Sequence, residues 1–149
     1  MDSELILPIV ARWAHILAAV VVVGGLVFVR LILAPAAQAT LDEDGRSALR
    51  RAITARWKPV VWACIALLLV SGFYNFATIS LAKAKEAAVY HPLFGIKFLA
   101  ALVVFFIASV LVGRSKATEK LRARSPSLLA AAIASAVVVI LVSGVLKNL

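Results

Sequence analysis

The chain has 149 residues, is 64% hydrophobic and carries a formal net charge of +9, with a mean hydropathy of +1.04. That balance is too apolar for a domain whose whole surface must be wetted. The positive charge is no nucleic-acid signature, because most of it lies in two segments beside apolar runs, where anionic headgroups and the positive-inside bias account for it.

Uncharged apolar runs at Trp13–Val29, Pro59–Ala82, Phe98–Gly113 and Ser125–Leu146 predict an all-α polytopic membrane protein with four transmembrane helices, since about 20 residues cross the hydrocarbon as a helix. Short alternating strands, the signature of an outer-membrane barrel, are missing. The predicted spans are about 8–34, 58–81, 91–114 and 126–147, in a single domain, with 36–57 and 114–125 as basic cytoplasmic loops.

Asp2 and Glu4 stand where a signal peptide carries Lys or Arg, and no small-residue cleavage site follows, so the first apolar run reads as a span. Its helix is expected to start at or just before Pro8, and Pro35 to end it. Asp42–Gly45 reads as a turn. Ser47–Lys58 reads as a basic helical run touching headgroups and extending the second helix, with a kink expected at Pro59. Tyr90-His91-Pro92 and Ser125-Pro126 read as the starts of the third and fourth helices, with proline in the first turn. Short links between such helices favour an up-down-up-down bundle.

Orientation follows from charge. Arg46, Arg50, Arg51, Arg56 and Lys58 lie in the first link, and Arg114, Lys116, Lys120, Arg122 and Arg124 in the last. Only Arg12, Lys83, Lys85 and Lys147 face the other way. The first two groups are expected in the cytoplasm and both termini outside, in the inner membrane. Trp13 then falls in the outer aromatic belt, and Trp57 and Trp62 in the inner one. Leu69-Val70-Ser71-Gly72 recurs as Leu141-Val142-Ser143-Gly144, and His15-Ile16-Leu17 is echoed by His91-Pro92-Leu93. These offsets suit two hairpins related by a pseudo-two-fold axis along the membrane normal, although Ser-Gly pairs also serve close helix contact.

His15 is the residue that most needs explaining, since an ionisable group at membrane depth is costly and by default functional. At about 100° per residue, Ala18, Ala19, Val22, Leu26 and Val29 share its face, and Phe94, Ala100, Ala101, Val104 and Ala108 share that of Lys97. Such small-residue stripes mean tight packing or room for a flat ligand. The second helix presents Cys64, Ser71, Asn75 and Thr78 on one side with Tyr74 on the flank, a side expected to face inward because lipid offers no hydrogen-bond partner. His15 and Lys97 are both expected in the outer half of the bilayer, facing each other from the first and third helices. His91 reads as an interfacial residue or a second ligand. Arg30 reads as an anchor, or as a partner for an acidic ligand group, and Cys64 as a small core residue.

His15, the Gly24-Gly25 pair after it, and Lys97 in Phe94-Gly95-Ile96-Lys97-Phe98-Leu99 resemble the copper-resistance-protein-D (CopD) family and the related HemJ-type protoporphyrinogen oxidases, over essentially the whole four-helix unit. The resemblance implies that His15 and Lys97 serve haem b binding. Two positions depart from the pattern. Val22 stands where the copper-resistance pattern has tryptophan, and Gly95 or Ile96 where the HemJ type has histidine.

Three readings follow. The first is haem b binding for electron transfer or porphyrin handling, with His15 as axial ligand and Lys97 or His91 as the other, or Lys97 on a propionate. The second is copper transport or resistance, although Cu(I) prefers sulfur ligands and the chain offers only Met1 and Cys64, far apart. The third is a non-catalytic subunit or scaffold of a membrane complex, consistent with the lack of a nucleophile–base pair, phosphate loop or intramembrane carboxylate. The expected surroundings are a bilayer with anionic headgroups and a membrane redox partner or a second copy, without nucleic acid. His15, Lys97, His91, Arg30, Asn75 and Tyr74 are the candidate cofactor-binding residues, and His15 and His91 the candidate metal ligands.

Overall fold

In the computed structural model, the backbone is described for residues 3–82, 87–113, 116–122 and 124–148, and side chains for 6–78, 91–113, 117–122 and 124–146. The first helix, α1, is Ser3–Phe28. It begins before Pro8 rather than at it. A proline there removes the one bond that the Glu4 carbonyl would receive, a loss confined to the helix end.

Pro35 does not end the first helix. The chain widens into a π-helical turn at Val29–Leu33, closed by the Ala34 N–H on the Val29 carbonyl, and continues as α2, Ala34–Thr40, with Pro35 in its first turn. The wider turn relieves the clash of a proline ring with the preceding carbonyl, and proline is tolerated where its missing N–H has no intrahelical partner. Leu41 is extended, with φ −119° and ψ 144°. The Gly45 N–H then donates to Asp42 Oδ1 at 2.8 Å, so the expected turn at 42–45 is an N-cap and first helical turn.

From there α3 runs unbroken over Glu43–Ala82, with Pro59 inside it. The basic run at 47–58 is helical and extends the second span as expected, and the rest of the segment 36–57, expected as a loop, is helical too except at its break at 41–42. The next helix, α4, is Ala87–Val112, and starts one turn before the expected Tyr90-His91-Pro92. A 3₁₀ turn, Lys116–Thr118, leads to the short α5, Glu119–Arg122, and α6 begins at Ser125 as expected and runs to Asn148. The side chains of Lys83, Lys85, Tyr90, Arg114, Lys116 and Lys147, and Met1, lie outside the described residues.

Four helices are long and apolar enough to cross a membrane, within 6–40, 43–78, 91–112 and 125–146. The chain is an all-α, multi-pass membrane protein. Helix α1 packs on α3 and α6, and α4 packs on α3 and α6, which places the first and third spans on a diagonal. The core is built from helically spaced residues: Ala18, Val22 and Leu26 of α1, Cys64 and Leu68 of α3, Val104 and Ile107 of α4, and Leu129, Ala132 and Ala136 of α6. Ala132 is 0% exposed, because a methyl side chain lets the neighbouring helices close over it. A second cluster, Val61, Ile65, Ala108 and Val112, joins α3 to α4. Outward positions such as Leu17 and Val70 are 65% and 71% exposed, as lipid-facing side chains must be.

Candidate intramembrane site

The seam between α1 and α3 fixes the position of His15. Gly25 lies against the Trp57 ring, and His15 lies against Ser71 and Gly72; Arg12 shares a crevice with Asn75. Residue numbers rise on one helix as they fall on the other, so these two helices are antiparallel. A methyl group added at Gly25 would collide with the Trp57 indole, whereas one at Gly24 meets nothing within 4 Å. Only the second glycine of the pair is therefore needed for close approach. At Gly72 a methyl would merely touch the imidazole, 3.5 Å from Cε1.

His15 Nδ1 lies 2.8 Å from Ser71 Oγ, and the Ser71 hydroxyl donates to the Leu67 carbonyl one turn back. A carbonyl oxygen can only accept, so the serine proton is committed to Leu67 and Oγ meets the ring as an acceptor. The Nδ1–H then donates to Ser71. In the neutral ring this tautomer leaves the lone pair on Nε2, the arrangement in which a hydrogen bond at one ring nitrogen presents the other as a ligand. Ser71 is 5% exposed, and no buried side-chain nitrogen or oxygen among the described residues lacks a partner.

Lys97 is half-buried on α4, the helix diagonal to the one that carries His15. Tyr74 and Asn75 follow Ser71 on the next turn of α3 and are half-buried. Asn75 faces a crevice of about 200 Å³ shared with Pro8, Ile9, Arg12 and Thr78. His91 is exposed and packs edge-on against Phe76, with ring centroids 6.3 Å apart. Arg30 is not brought to His15. Fifteen residues separate them on one helix, about 22 Å at 1.5 Å per residue, and Arg30 belongs to the opposite end of the bundle.

One feature escaped the sequence reading. Phe76 stacks on Phe94 at 4.1 Å, and Phe98 adds contacts to Phe94 and Phe73, so an aromatic cluster bolts α3 to α4 beside Lys97. The Phe73/Phe76 and Phe94/Phe98 spacings, three and four residues on two helices, were the available signal. The stripe Ala18, Val22 and Leu26, expected as packing surface or as room for a flat ligand, is packed into the core.

Cys64 is enclosed by aliphatic core side chains, about 10 Å along α3 from Ser71, and the described residues hold no group of three or more His, Cys, Asp or Glu side chains. Copper sites commonly draw on several soft or imidazole ligands. Haem iron takes as little as one imidazole from the protein. No family model, no curated protein and no solved structure matches the chain.

Proposed function

We propose that this multi-pass protein resides in the inner membrane with its basic segments in the cytoplasm and both termini outside, and that it binds haem b through His15 in the outer half of the bilayer. The observation behind this reading is the contact of His15 Nδ1 with Ser71 Oγ, whose hydroxyl donates to the Leu67 carbonyl; with the ring proton on Nδ1, the lone pair of Nε2 is the one that would take a ligand. Ser71 holds the ring plane and tautomer, and Lys97 supplies a positive charge for a propionate or a second nitrogen ligand. Bound haem would supply one-electron chemistry, so the role is electron transfer with a membrane partner or porphyrin handling. The resemblance to CopD-like and HemJ-like proteins supports the same assignment through His15 and Lys97.

A second reading, a scaffold in which this contact only locks α1 to α3, is favoured by the packed stripe at Ala18, Val22 and Leu26. The visible spectrum and metal content of the protein purified in mild detergent separate the two. A Soret band with stoichiometric iron, absent from His15→Ala, is the expected result. A colourless, iron-free protein whose stability falls in His15→Ala would establish the scaffold.

A further inference from the structure

At the other end of the bundle a cavity of about 300 Å³ opens between α1, α3, α4 and α6. Its floor is apolar, formed by Val22, Leu26, Val61 and Ala108. Its rim is basic: Arg30, Arg46, Arg50 and Arg122 line it, and no carboxylate is among its described lining residues.

Three of these guanidinium groups are oriented by contacts. Arg46 pairs with Glu43 at 2.7 Å, Arg50 reaches Ser125 Oγ at 3.3 Å, and Arg122 donates to Thr118 at 2.7 Å. Arg30 has no hydrogen-bond or ion-pair partner among the described residues and sits in the π-helical turn, a deformation common where a side chain is re-aimed for function. The N-terminus of α6, at Ser125 and Pro126, also lines the rim and adds the positive end of a 24-residue helix dipole. Four cations and a helix N-terminus above an apolar floor match an anion that carries a hydrocarbon tail. The volume lies at the small end of ligand sites and suits a phosphate group with the first part of a chain.

We infer that this cavity binds the phosphate diester headgroup of an anionic membrane lipid, with Arg30 and Arg122 as its principal contacts and the start of one acyl chain on the floor. The site is separate from the one at His15 and does not depend on haem.

The test uses the full chain carrying Trp13→Phe and Trp62→Phe. Trp57, which lines the cavity, is then the sole tryptophan. The protein is placed in bilayers containing a small fraction of lipid with brominated chains, on either phosphatidylglycerol or phosphatidylcholine. Brominated phosphatidylglycerol is expected to quench Trp57 at lower mole fraction than the choline lipid. The preference should fall about fivefold in Arg30→Gln and again in Arg122→Gln, the loss equivalent to about 1 kcal/mol for each basic residue at an anionic surface. Arg30→Lys is expected to retain most of it, which separates lost charge from lost fold. Arg56→Gln, an exposed arginine of α3 off the cavity, should leave it unchanged. Equal quenching by both lipids, an equal loss in Arg56→Gln, or abolition of the preference by millimolar inorganic phosphate would overturn the inference. The last result would assign the site to a soluble anion.

Discussion

At the scale of single residues, the contacts of His15 make two substitutions informative. In Ser71→Ala the Nδ1–H loses its acceptor within the bundle. Interhelical hydrogen bonds in membranes contribute about 0.6 kcal/mol on average and up to about 1.7, so a loss in that range is expected, measured by reversible unfolding in mixed micelles. A cycle with His15→Ala should give a coupling energy of similar size, and simple additivity would mean that the two side chains do not interact. The glycine pair makes a sharper contrast. Gly25→Ala forces the Trp57 ring aside and should cost about 1–3 kcal/mol as overpacking, while Gly24→Ala should cost nothing measurable, since open space surrounds that position. Equal effects at both positions would refute the packing of Trp57 on α1. The inward direction of Ala18, Val22 and Leu26 was legible in the sequence because helical periodicity fixes which residues share a face. That Trp57 fills the space at Gly25 was not, because periodicity says nothing about which side chain of a neighbouring helix arrives there.

At the scale of elements, proline was the least legible signal. Pro35 read as a stop, yet the chain absorbs it in a π turn and continues. A proline forbids one hydrogen bond, and whether the helix ends or deforms depends on what the following residues pack against. Ala37 lines the basic cavity and Ala39 is exposed. In a Cys64→Ala background, Ala37→Cys should therefore react with a soluble thiol reagent more slowly than Ala39→Cys. Pro35→Ala lets the π turn close to α-helical spacing, which rotates α2 by about one residue, or 100°, relative to α1. The difference in labelling should then disappear or reverse. Unchanged labelling would mean that the proline does not set the turn. Ser71 and Ser143 show a related limit of sequence reading. Both hydroxyls bond the carbonyl four residues back, as their shared Leu-Val-Ser-Gly context suggests, but the imidazole on Ser71 comes from α1, 56 residues away in sequence.

At the scale of the whole molecule, the four helices leave much of their apolar surface outward, and two polar places among the described residues carry the functional argument. One is the His15 and Ser71 pair, and the other the arginine-rimmed cavity near Arg30, some 15 residues further along the chain. The four spans were legible because length and hydropathy suffice to find them. The cavity was not, because Arg30, Arg50 and Arg122 come from three distant segments whose charges read individually as headgroup anchors. The central claim is that Nε2 of His15 is a haem ligand, and titrating haem into the purified apoprotein tests it most directly. Binding of one haem per chain with a sharp Soret band is predicted, lost in His15→Ala and weakened about 10–100-fold in Ser71→Ala, as for partners that orient a metal-ligating histidine. A Soret titration identical in the wild-type protein and His15→Ala would contradict it.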